Sequence, residues 1–86
     1  MAENVTRTAP AFTIELPLFG TCGLIPHDMD QRPAGLLCYV TMEGNEKSAT
    51  LAIYRNGEFQ DRHERPFASP ILRWYSVEKA DGSIIF

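Results

Sequence analysis

The sequence lacks several features that would place a protein in a functional class at once. Only two of its 86 residues are cysteines, Cys22 and Cys38, which is too few for a disulfide-stabilised scaffold. Basic side chains are also scarce, because 8 Lys and Arg stand against 11 Asp and Glu. The resulting net charge of -3 argues against nucleic acid as the partner of this acidic protein.

Long hydrophobic runs are missing as well. No stretch approaches the roughly 20 apolar residues of a membrane-spanning helix, so we expect no membrane partner. The first ten residues, MAENVTRTAP, have neither the basic region nor the apolar region of a secretion signal. We therefore expect a cytoplasmic protein whose thiols are reduced.

Apolar residues at helical spacing are absent, and the pattern that is present alternates with the period of a β-strand. Over residues 11–16, Phe12, Ile14 and Leu16 alternate with smaller or polar side chains, which predicts a half-buried strand. Residues 1–10 show no pattern, so we predict a flexible N-terminal lead-in followed by a single β-rich domain over residues 11–86. Five glycines and prolines between residues 18 and 35 predict a long irregular loop after the first strand.

Three turn signals organise the second half of the chain. A two-residue turn at Gly44-Asn45 pairs Cys38 with Leu51 and predicts that Leu51 lies in the core. Around Asn56-Gly57 we favour a three-residue loop, which pairs Ile53 with Phe59 and buries it. The alternative two-residue turn pairs Tyr54 with Phe59 and sends Gln60 to the core face.

The third turn signal, Asp81-Gly82, returns residues 84–86 against a strand over residues 71–77. Together these patterns predict a mainly β fold. We expect a single small antiparallel sheet or a small barrel of about five or six strands.

Groups that could carry chemistry are few. Cys22, His27, Cys38 and His63 do not have the short paired spacings of zinc ligands, and no phosphate-binding loop is present. We therefore expect no metal, no cofactor and no catalytic residue. One alternative remains open, a small cysteine-dependent enzyme in which Cys22 acts with a histidine.

Aromatic and basic residues interleave between Arg62 and Tyr75, as in sheets that bind single-stranded nucleic acid. Asp61 and Glu64 interrupt the basic residues, and the whole chain is acidic. A small β-barrel that binds single-stranded nucleic acid is therefore the second alternative.

With no catalytic constellation in the sequence, we expect a non-enzymatic protein that binds, and in one version inhibits, a larger protein or protein complex. An inhibitor of a host system encoded by a phage or mobile element is one form of this hypothesis, and a homodimer is compatible with it. Acidic side chains in the predicted loop favour a basic patch on the partner, and large apolar groups on a second sheet face favour docking. The predicted partner-binding residues are Phe19, His27, Asp28, Asp30, Tyr39, Tyr54, Leu72 and Trp74.

Overall fold

The computed structural model describes residues 10–86, so the predicted lead-in lies outside the described residues except for Pro10. Six strands form one antiparallel sheet in the order β1-β2-β6-β3-β4-β5, curled into a half-barrel. The strands are β1 (Phe12–Leu16), β2 (Gly20–His27), β3 (Leu37–Met42), β4 (Asn45–Arg55), β5 (Glu58–Gln60) and β6 (Ile71–Glu78). The predicted mainly β, antiparallel architecture of five or six strands is confirmed.

The predicted long loop over residues 18–35 is wrong in its first half, because β2 occupies Gly20–His27. Its glycines and proline are compatible with a strand. Gly20 has a positive φ of 73° at the end of the turn, and at Gly23 a Cβ atom would lie 2.9 Å from Pro10. Pro26 lies where β2 is paired with β6 but no longer with β1, because the β1–β2 ladder stops at the pair of Phe12 and Leu24. The N–H group that proline lacks is therefore not needed for pairing with β1. Only residues 28–36 remain an irregular loop.

The hairpin of β3 and β4 forms, but the predicted turn at Gly44-Asn45 is wrong, because the turn residues are Glu43 and Gly44, and the register differs by one residue. Cys38 pairs with Ala52 and Tyr39 with Leu51, and a bulge separates this register from the turn at Glu43-Gly44. A shift of one residue moves every side chain of a strand to the other face. Ala52 is therefore buried and Leu51 is 40% exposed, so the prediction that Leu51 lies in the core is wrong.

The turn between β4 and β5 has two residues, Asn56 and Gly57, with φ of 55° and 78°. These positive angles are those of the type I′ turn that suits a tight hairpin. Tyr54 therefore pairs with Phe59, and the predicted three-residue loop is wrong. Phe59 is nevertheless partly buried, because this face of the sheet also carries a core. The two-residue turn is unfavourable for Gln60, because its Oε1 atom is buried without a hydrogen-bond partner.

Apolar side chains are buried on both faces of the sheet. One face carries a cluster that we call the first core, formed by Cys22, Leu24, Tyr75 and Val77. The opposite face carries the second core, formed by Cys38, Val40, Ala52 and Trp74. The neighbours Trp74 and Tyr75 point to opposite faces and both are buried, as expected for a central strand, and β6 lies next to β3 in the middle of the sheet.

The chain after β6 turns back along this strand, as the Asp81-Gly82 signal predicts. The Val77 amide donates to the Phe86 carbonyl at 2.6 Å, and the Ile85 amide donates to the Val77 carbonyl at 2.8 Å. Ile85 and Phe86 pack on the first core. The returning segment, residues 84–86, thus bonds to β6 at Val77 and Glu78, beyond the Tyr39–Tyr75 pair at which the β3–β6 ladder stops.

Candidate functional site

Four of the eight predicted partner-binding residues lie around one end of the sheet, and the loop that begins there reaches a fifth, Tyr54. His27 ends β2, Asp28 and Asp30 begin the loop of residues 28–36, and Trp74 is the partner of His27 in the ladder. Tyr54, near the end of β4, contacts the same loop. We call this region the loop end of the sheet.

Hydrogen bonds hold the loop over the second core. The indole Nε1 of Trp74 donates to the Gln31 carbonyl at 2.9 Å, and the Arg32 guanidinium donates to the Tyr54 hydroxyl at 2.8 Å. The Gln31 amide closes a turn with the Asp28 carbonyl at 3.0 Å. Trp74 is consequently only 6% exposed, and its surroundings are those of a core residue.

The His27 imidazole stacks on the Trp74 indole, with ring centroids 4.1 Å apart and planes inclined by 16°. Its Nε2 lies 2.6 Å from the Oγ of Ser76, two residues along β6 on the same face. A histidine next to a hydroxyl resembles part of a nucleophilic dyad, which also needs a group that orients the ring. Within residues 10–86 no carboxylate bonds to His27, and Asp28 instead lies 3.6 Å from Arg73. The contact therefore fixes the end of β2 against β6.

A groove of 570 Å³ opens between the loop and the C-terminal segment. His27, Trp74 and Ser76 form its floor, residues 31–35 one wall and residues 84–86 the other. The exposed Ile84 lies on its rim. Ser76 was missed by the sequence reasoning, although the alternation along β6 places it on the same face as Trp74.

A second exposed surface lies at the opposite end of β2, in the turn between β1 and β2. We call Pro17, Leu18 and Phe19 the hairpin tip. Leu18 is 87% exposed and Phe19 is 44% exposed. Together with Leu16 and Phe86 they line a wholly apolar depression of 390 Å³.

Local geometry restricts the conformation of the tip. The Phe19 amide donates to the Leu16 carbonyl at 3.2 Å, and Gly20 follows in the left-handed conformation. Pro17 at the second position of this turn has its φ fixed by its ring. The Lys79 ammonium lies 5.7 Å from the centroid of the Phe19 ring, which places a positive charge beside the apolar surface.

The last two predicted partner-binding residues lie elsewhere. Tyr39 is half-buried and packs against the first core, where burial, and then the charge of Cys22, raise its pKa. Leu72 is exposed near the start of β6. The eight residues therefore do not form one continuous surface.

Both thiols are free and buried, on opposite faces of the sheet. Cys22 belongs to the first core, and burial raises the pKa of Cys38 to about 12. In the part of the chain that the structure describes, no three His, Cys, Asp or Glu side chains are grouped as metal ligands. Residues 10–86 also contain no helix long and apolar enough to cross a membrane.

Comparison with known proteins adds no assignment. No protein-family model matches the chain, and no curated protein and no solved structure is significantly similar to it.

Proposed function

We propose that this protein acts by binding a larger protein and that the hairpin tip is its principal contact. The observation that carries the proposal is the exposure of Leu18 and Phe19 around a depression lined only by apolar atoms. Hairpin turns usually carry glycine, asparagine or aspartate, which leave little apolar surface in water. Burying the largely exposed Leu18 side chain in a partner would contribute about 1.5 to 3 kcal/mol, and Phe19, which is 44% exposed, would contribute less.

The arrangement of the tip suits an anchor of a protein interface. Binding energy is concentrated in a few residues that fill pockets on the partner, and a turn fixed before binding loses little conformational entropy. The positive charge of Lys79 beside Phe19 favours a partner pocket with an acidic rim.

The acidic side chains at the loop end supply a second, electrostatic contact. Asp28 and Asp30 are exposed, and Asp28 is partly balanced by Arg73 at 3.6 Å. Asp30 has no ionic partner among the described residues. A basic patch on the partner would therefore be attracted chiefly by Asp30, with an effect that falls as salt is added.

The test is affinity capture from the cells that produce this chain, with nuclease present. We expect a stoichiometric protein partner that the wild-type chain retains and that the double variant Leu18→Ser, Phe19→Ser loses. Leu36→Ser is the matched control, because it removes an exposed leucine that lies outside the tip and is not among the predicted partner-binding residues. Equal capture by the tip variant, with its melting temperature unchanged, would refute the role of the tip.

An activity assay on the captured partner decides whether binding inhibits it. Addition of the purified wild-type chain lowers that activity if the protein is an inhibitor, and the tip variant leaves it unchanged. Asp28→Lys with Asp30→Lys should weaken binding and reduce its dependence on salt.

The two alternative functions gain no support from the placement of their residues. Trp74 and Tyr75 are buried on opposite faces, so neither ring offers an open surface on which a base can stack. Cys22 is 1% exposed and no histidine is hydrogen-bonded to it. We therefore carry neither alternative into the proposal.

A further inference from the structure

The two edge strands of the sheet differ in how they are protected. β5 has only three residues, and beyond it Gln60 forms a bridge with Pro66. β1 is longer, and within residues 10–86 no strand lies against its outer edge. Its sequence, Phe-Thr-Ile-Glu-Leu, contains no proline or lysine of the kind that natural sheets use to prevent edge pairing, and its single charged side chain is Glu15.

The side chains of β1 are arranged to pair with themselves. Phe12, Ile14 and Leu16 are half-buried on the first-core face, and Thr13 and Glu15 are exposed on the other face. An antiparallel pairing about a two-fold axis at Ile14 sets Phe12 opposite Leu16 of the second copy, and Thr13 opposite Glu15. Aromatic residues pair well with aliphatic ones across strands, and the threonine hydroxyl can donate to the carboxylate.

Neighbouring registers are less favourable. An axis at Glu15 would set the two Glu15 carboxylates directly opposite each other, which is destabilising. An axis at Thr13 would leave Leu16 without a partner in the second copy's β1. An axis midway between Thr13 and Ile14 would set Phe12 opposite Glu15. Charge and apolar pattern therefore select the axis at Ile14.

We propose that two copies of this chain associate through antiparallel pairing of their β1 strands, with the two-fold axis at Ile14. The pairing continues each six-stranded sheet into its partner and joins the apolar sides of the two first cores. A contact confined to a five-residue strand is smaller than a standard interface, so the dimer forms reversibly and dissociates on dilution.

Disulfide trapping tests the register. Thr13→Cys and Glu15→Cys are made as separate proteins and oxidised alone or as a mixture. Directly opposed residues have Cβ atoms about 4.5 to 5.5 Å apart, whereas the diagonal pairs of identical residues are about 7 to 8 Å apart. We expect a covalent dimer in the mixture. Either protein alone should form little dimer, because its introduced cysteines would lie on the diagonal and both native thiols are buried.

Charge variants test the interface without a covalent bond. Thr13→Asp places a carboxylate opposite Glu15 twice in the dimer, and we expect a dissociation constant about tenfold higher by sedimentation velocity. Thr13→Lys should lower it by a similar factor. Ser48→Asp is the matched control, because it adds the same charge at an exposed position of β4 and should change nothing.

Several outcomes would overturn the proposal. These are a monomer at every concentration, a dimer that Thr13→Asp leaves unchanged, or disulfides that form equally in the unmixed proteins. A dimer that appears only after deletion of residues 1–9 would assign the edge to that segment instead. The experiments use the purified chain alone, so their failure is distinguishable from failure of partner binding through Leu18 and Phe19.

Discussion

Leu24→Ala and Leu51→Ala make the same chemical change at two positions. The sequence analysis places Leu51 in the core, whereas the structure buries Leu24 and leaves Leu51 partly exposed. Leu24 is 0% exposed in the first core, and Leu51 keeps 40% of its surface in water. The β4 register expected from the sequence would make Leu51 a core residue. The observed register makes Leu24 by far the more sensitive position.

The magnitudes follow from what each truncation removes. Leucine to alanine deletes about three carbon groups, worth about 0.8 kcal/mol each when buried, and at a fully enclosed site the cavity adds to this loss. We expect Leu24→Ala to lower the free energy of unfolding by about 3 to 4 kcal/mol. Leu51→Ala should cost about 1 kcal/mol, because part of the side chain is already hydrated and no closed cavity forms. A domain of this size has a total stability of roughly 4 to 13 kcal/mol.

Urea unfolding followed by tryptophan fluorescence measures both values. The chain has a single tryptophan, Trp74, buried in the second core, so its emission reports on loss of the sheet. A difference of 2 kcal/mol or more between the two variants is expected, with equal m-values. If Leu51→Ala costs as much as Leu24→Ala, the observed pairing of Tyr39 with Leu51 is wrong.

Three further predictions concern polar groups and thiols. Gln60→Met should raise the free energy of unfolding by about 1 kcal/mol, because it removes a buried oxygen without a hydrogen-bond partner; a lower melting temperature would contradict this. The pKa of Asp61 lies below its usual value, chiefly because its carboxylate accepts a hydrogen bond from the backbone amide of Arg65. The stabilisation by the charged Asp61 carboxylate is therefore complete above about pH 4 and is lost as the pH falls through the folded-state pKa. Asp61→Asn keeps the acceptor but not the charge, and acid titrations of unfolding should therefore show a smaller loss of stability for this variant. Cys22 and Cys38 should react with iodoacetamide only in denaturant, and rapid labelling of the native protein would place a thiol at the surface.

Local patterns in the sequence were sufficient to predict several strands. The alternation of Phe12, Ile14 and Leu16 predicted β1, and Asn56-Gly57 and Asp81-Gly82 predicted turns that the structure contains. These signals depend on residues close together in the chain, where backbone sterics and the period of two act directly.

The wrong register of β4 and the missed strand β2 have different physical causes, and the first is that both sheet faces are buried. The apolar pattern of a strand determines its register only when one face of the sheet is exposed to water. Here both faces carry apolar cores, so Ala52 and Leu51 are each compatible with either face. β2 was missed because Gly23 and Pro26 indicate a loop when taken alone. Their roles depend on Pro10 and on the end of β1, and neither contact can be found from spacing.

The candidate surfaces were predicted in part. Phe19, His27 and Asp28 were named from the sequence, but the stacking of His27 on Trp74 joins residues 47 positions apart and needs the β2–β6 ladder. The sequence pattern does not reveal the exposure of Leu18, because the glycines and prolines of residues 18–35 indicate an irregular segment. Pro17 followed by Gly20 was the available signal, since this spacing suits a three-residue hairpin turn.

The burial of both faces also limits where this sheet can meet another molecule. A sheet with one open face usually binds through that face, but here Trp74 and Tyr75 fill both sides of the central strand. What remains accessible is the periphery, namely turns, edges and the ends of the ladder. Apolar side chains at the hairpin tip and the β1 edge, along which no strand of residues 10–86 lies, are contiguous parts of that periphery, because the tip is the turn in which β1 ends. Two recognition modes can therefore coexist in so small a domain, with side-chain insertion at the tip and backbone pairing along β1, and substitutions at Leu18 and at Thr13 should separate them.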